Sequence, residues 1–172
     1  MAKTYEDMDT VLEHEAALMK TDEDSAKVKD KVDTLLWNMI TVSDNESFNE
    51  LVRLQTTSGV FKDGAEAVNA FLAESQFADT SVQHTLSPSA SKDAGLGGRN
   101  TTSVKDCGEL LSRIYKGECV SKEASDAMLN LLLNQQVTTK IPSGISASVE
   151  IANKTGETDT DQHDIAIVYG EK

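Results

Sequence analysis

Along most of the chain apolar residues recur at helical spacing; after Pro142 they alternate. Tyr5, Met8, Leu12 and Met19 sit at loose helical spacing between about Thr4 and Lys20. The acidic run Thr21-Asp22-Glu23-Asp24 follows. Ser25 then reads as a cap for a clearer helix, with Val28, Val32, Leu35, Leu36, Met39 and Ile40 on one stripe. The stripe breaks at Thr41-Val42-Ser43-Asp44-Asn45. A short helix is expected to restart there, with Phe48, Leu51 and Leu54 inward. Another is predicted from about Ala65 to Ala73, after Asp63, burying Val68, Phe71 and Leu72. From Ser75 to Asn100 no helical period survives, and the stretch holds Pro88 and the run Gly95-Leu96-Gly97-Gly98. A loop this long inside a compact domain is usually functional or disordered.

Two strong helices come next. Thr102 or Ser103 opens the first, with Val104, Cys107, Leu110, Leu111 and Ile114 inward and Gly117 as its stop. Ser121 caps the second, which carries Ala124, Met128, Leu131 and Leu132. Their short junction predicts an antiparallel pair. Beyond Pro142, Ser148-Val149-Glu150-Ile151-Ala152 and Ile165-Ala166-Ile167-Val168-Tyr169 read as strands joined by a polar turn. The expected fold class is α+β, a helical region over 1–142 and a two-stranded antiparallel hairpin over 143–172. Such a sheet is marginal alone and its edges are open.

Composition narrows the function. The formal net charge is −13, which argues against a nucleic-acid partner or an anionic membrane surface. Residues 1–50 hold 5 Lys against 13 Asp and Glu, so this acidic third reads as a solvated face. No stretch approaches the ~20 apolar residues of a membrane span. Met1 to Thr10 has no apolar core of the kind a signal peptide needs, so none is expected in this chain. Cys107 and Cys119 are placed near the start and beyond the end of one helix, roughly 15 Å apart or more. A disulfide is therefore not expected, since it needs Cα atoms within about 7 Å. His14, His84 and His163 show no metal-ligand spacing, and the glycine run lacks the strand and helix of a dinucleotide site. Neither a metal nor a cofactor is indicated.

Two tripeptides carry the chemistry: Ser43-Asp44-Asn45, directly after a buried helix, and Lys154-Thr155-Gly156, at the end of a predicted strand. Alone, the first also fits a helix cap and the second a solvated strand end. Together, in this order and placement, they resemble two of the three signature elements of class A β-lactamases and penicillin-binding proteins. The similarity extends from Ser25 onward, through the paired helices to the lysine-bearing strand.

That resemblance implies the fold of the penicillin-recognising serine hydrolases: a helical region packed on a mixed α/β region, with the site between them. It implies catalytic roles for Ser43, relaying a proton to the leaving nitrogen, and for Lys154, holding a positive field over Ser43 and the substrate carboxylate. Asn45 would bind the substrate's side-chain amide and the Thr155 hydroxyl the carboxylate. Gly156 would let the strand edge approach the ligand, and the Glu157 backbone N–H would be an oxyanion donor. The implied ligand is a β-lactam or a peptidoglycan stem peptide, and the implied location lies outside the cytoplasm.

The pattern is also broken. No Ser-x-x-Lys precedes Ser43, and the one literal match, Ser89-Ala90-Ser91-Lys92, lies in the irregular stretch after it. The expectation is a family member truncated at both ends, lacking its nucleophilic serine and base lysine and inactive alone. The stretch from Ser75 to Asn100 holds no glutamate to activate a deacylating water, which leaves Asp79 or Asp93 as its only substitutes. The alternative is a non-catalytic binding module that keeps half of a ligand cleft and forms homo-oligomers through its exposed sheet edges.

Overall fold

The computed structural model describes residues 1–19, 25–86 and 95–170. Seven helices among these residues precede one hairpin: α1 (Ala2–Glu6), α2 (Met8–Met19), α3 (Ser25–Thr41), α4 (Asn45–Arg53), α5 (Phe61–Glu74), α6 (Val104–Lys116) and α7 (Lys122–Leu133). A short 3₁₀ turn, Ile141–Gly144, leads into β1 (Glu150–Glu157) and β2 (Gln162–Tyr169), which pair antiparallel with Lys154 opposite Ile165.

The stripe of α3 explains its central place. Val28, Val32, Leu36 and Ile40 are all buried, and the helix packs against α2, α4 and α7. Met128, Leu131 and Leu132 of α7, Ile114 of α6, Leu51 of α4 and Ala152 of β1 complete one core. Each large side chain buried here contributes roughly 1.5–3 kcal/mol. A smaller cluster of Val52, Phe61 and Ala65 joins α4 to α5. The two helices touch because Gly64 has no side chain: a Cβ there would lie 1.9 Å from the Val52 carbonyl oxygen.

Several boundaries differ from the sequence reading. The first helical segment splits at Asp7, and it buries Val11 and Glu15 completely, neither of which lies on the loose stripe. Helix α5 begins at Phe61, ahead of Ala65, because Phe61 itself is buried while Val60 offers no side-chain cap. Val104 is not inward: it is 91 % exposed, since Ser103 caps the helix and the first residue after the cap turns outward. The hairpin begins later and runs further than the alternation suggests, so Lys154, Thr155 and Gly156 lie within β1 rather than at its end. Both cysteines are free; Cys107 is half-buried on α6, and Cys119, beyond its end, is buried, which pushes its thiol pKa up.

The described flanks of the stretch between α5 and α6 are held by asparagines. Asn49 Nδ2 donates to the Leu86 carbonyl at 2.9 Å and its Oδ1 accepts from the Leu86 N–H at 2.8 Å. Asn69 brackets Val82 in the same way, and Asn100 Oδ1 accepts from the Gln83 and His84 N–H groups. Buried Asp106 accepts from the Asp79 N–H and the Thr80 hydroxyl. No helix of the described residues is long and apolar enough to cross a membrane.

Candidate active site

The corner between α3 and α4 presents Ser43. Two consecutive carbonyls at the end of α3 are taken by the segment after α7: Gln135 Nε2 donates to Ile40 O at 2.7 Å and the Gln136 N–H to Thr41 O at 2.9 Å. The chain then reverses through Ser43, whose φ is +58°, a left-handed conformation that non-glycine residues rarely adopt. Asp44 follows in extended geometry and caps α4, its Oδ2 accepting from the Ser47 N–H at 2.7 Å. The tripeptide is thus divided: Asp44 serves the helix start, Ser43 is half-buried and aims away from the cap, and Asn45 is exposed on the first turn.

Strand β1 brings Lys154 to that corner. Side chains alternate along a strand, so Lys154 shares the face of Ala152, which is fully buried against α7 and the core. Two residues further on, the lysine reaches past the helices, and its Nζ donates to Ser43 Oγ, with a second bond to the Thr155 carbonyl at 2.5 Å. Burial lowers the Lys154 pKa; the Asp164 carboxylate opposes that shift and the Lys140 ammonium adds to it.

Lys140 is a site residue the motifs do not reveal. It lies in the connection from α7 to β1, where no periodicity or signature marks it. Its Nζ donates to Gly156 O at 3.0 Å and stands 3.2 Å from Glu157 Oε2. The connection is fastened to the hairpin by Asp164, which accepts from the Ile141 N–H at 2.9 Å and from Asn153 Nδ2 at 3.0 Å. Thr155, on the same face as Asn153, is buried, whereas Glu157 is exposed. A Cβ added at Gly156 would make only ordinary contact with His163, at 3.7 Å, so packing within the hairpin does not demand the glycine.

Of the six residues singled out by sequence, Ser43 and Lys154 are thus brought into direct contact. Thr155, Gly156 and Glu157 continue the same strand, and Asn45 stands two residues beyond Ser43. The Ser89–Lys92 match and Asp93 lie outside the described residues. A groove of about 540 Å³ lined by Tyr5, Met8, Trp37 and Ala127, among others, includes none of the six.

Comparison with known proteins gives a consistent picture. The model of a family described as the β-lactamase enzyme family matches residues 4–172. A β-lactamase from Sphaerobacter thermophilus DSM 20745 superposes with a TM-score of 0.63 at 22 % identity, over 78 % of this chain and 48 % of that one. A class A β-lactamase from Mycobacterium abscessus gives 0.66 at 19 % identity, over 81 % and 50 %. A mutant of PBP-A solved as an acyl-enzyme complex with penicillin G gives 0.64 at 27 % identity, over 78 % and 46 %. The chain spans about half the length of these structures. No curated protein sequence matches it.

Proposed function

The chain belongs to the β-lactamase enzyme family, and from that membership we propose that it carries the recognition half of a serine-hydrolase cleft. The ligand is a carboxylate-bearing acyl donor, a β-lactam or a peptidoglycan stem peptide. Lys154 and the Thr155 hydroxyl anchor the carboxylate, and Lys140, whose Nζ donates to the Gly156 and His163 carbonyls, adds a second positive charge on the hairpin. Asn45 binds the ligand's side-chain amide, and Gly156 keeps the strand edge open to it. The Glu157 N–H is the oxyanion donor, and Ser43 passes a proton toward the leaving nitrogen. The same membership points to work outside the cytoplasm.

The observation that carries this reading is the hydrogen bond from Lys154 to Ser43, which joins residues 111 positions apart at one corner. The proposal concerns recognition of the ligand, not its turnover. Calorimetric titration with penicillin G tests recognition. Removing a charged hydrogen-bond donor from the carboxylate costs about 1.5–3 kcal/mol, so Lys154→Met should weaken binding at least about tenfold. Equal binding by the variant, or none by the wild type, overturns the reading.

A second reading rests on the sheet, which has two strands among the described residues. Exposed strand edges invite pairing between copies, and a non-catalytic module could use them to oligomerise. A clean monomer in light scattering counts against it.

A further inference from the structure

A serine hydroxyl in hydrogen-bond contact with a lysine amine is a complete nucleophile–base pair. Serine–lysine pairs of this kind drive acyl transfer on unrelated folds. We infer that Ser43 is itself an acyl acceptor, with Lys154 as its general base, so that this chain takes up one acyl group from an activated donor. The inference uses the same two residues as the proposed function but needs no carboxylate on the donor, so either can fail without the other.

Three observations carry it. First, Lys154 Nζ and Ser43 Oγ are in direct contact. When the amine is neutral, its lone pair takes the place of the donated N–H and accepts the Ser43 proton. Second, Ser43 occupies a left-handed backbone conformation at a reversal between two helices. The neighbouring cap is made by Asp44, so the Ser43 hydroxyl is not consumed in starting α4. A side chain held out from a strained turn is a recurrent way of presenting a nucleophile. Third, the surroundings of the amine ease the loss of its proton relative to a free lysine. Burial and the Lys140 ammonium, which reaches the Gly156 and His163 carbonyls from the α7–β1 connection, both lower its pKa. Asp164 on β2 is the opposing charge, and from the α3–α4 corner the contact is the Ser43 hydroxyl.

The step balances without any further reactant. Lys154 Nζ takes the hydroxyl proton as Ser43 Oγ bonds to the acyl carbon. With p-nitrophenyl acetate, p-nitrophenolate departs with the electron pair of the broken C–O bond and needs no proton. With a β-lactam the ring C–N bond breaks instead, and the Lys154 ammonium returns the proton to the nitrogen. No deacylation is invoked: the product is a single ester on Ser43.

Intact-mass spectrometry of the full chain after incubation with p-nitrophenyl acetate, followed by peptide mapping, tests the inference. One acetyl group on Ser43 is expected, formed faster as pH rises and Lys154 loses its proton. Lys154→Arg keeps a positive charge but cannot serve as a base. It should slow acetylation roughly a hundredfold, in line with the loss of a general base. Ser43→Gly, which adopts the same backbone conformation without strain, should abolish the adduct while remaining folded. An adduct confined to other residues, no adduct at all, or a Lys154→Arg rate equal to wild type overturns the inference. Penicillin G binding is measured on the same samples: binding without acetylation leaves the recognition reading standing and removes the nucleophile.

Discussion

Ser43 and Val120 both sit at positive φ, +58° and +68°, yet only one of them meets a partner across the molecule. Val120 strains the turn between α6 and α7, and its side chain is exposed. Ser43 places its hydroxyl on Lys154. Strain therefore marks this site only in company with a contact. The charge on Lys154 has a consequence of its own. Its folded pKa lies below that of an unfolded lysine, so between those two values the unfolded chain binds more protons than the folded one. Stability is expected to rise with pH through that window and to be lowest below the folded value. Lys154→Met should flatten the rise, measured as urea midpoints from neutral into the alkaline range. At this scale the sequence was informative where a side chain belongs to a recognisable tripeptide. Lys140 was hidden because its role comes from the path of the α7–β1 connection, which no local pattern encodes.

The helices most legible in the sequence are those whose ends are chemically marked. Ser103 and Ser121 cap α6 and α7 through the N–H groups of Asp106 and Ala124, and Gly117 closes α6 in the left-handed conformation. Helix α5 starts without a side-chain cap, and its beginning at Phe61 was accordingly misplaced. The described flanks of the stretch after it carry no helical or strand pattern because their order comes from elsewhere. Asn49, Asn69 and Asn100 bond to backbone groups 13 to 37 residues away. Asn49 is fully buried, so its replacement leaves the N–H and carbonyl of Leu86 without partners. Asn49→Ala should cost about 2–3 kcal/mol in urea denaturation. Amide exchange should accelerate around Leu86 while α6 and α7 keep their protection.

Over the whole molecule, a net charge of −13 surrounds a strand edge that bears Lys154, with a second ammonium, Lys140, bridging the two strands beside it. The alignment of that edge with Ser43 depends on Gln135, which is buried and ties the end of α7 to the Ile40 carbonyl at the end of α3. Gln135→Ala leaves that carbonyl unpaired. The expected outcome is a loss of about 1–3 kcal/mol of stability. Penicillin affinity should fall more than it does when an exposed glutamine such as Gln162 is changed, a comparison that titration of both variants makes. The contact between Ser43 and Lys154 closes a loop of 111 residues, and the entropy of closing a loop must be overcome before its contacts reward it. The pair is therefore expected to come together late, once the helices and the hairpin have docked. A reagent that reacts with this pair would act as a stopwatch for the last step of folding, silent on every partly assembled chain.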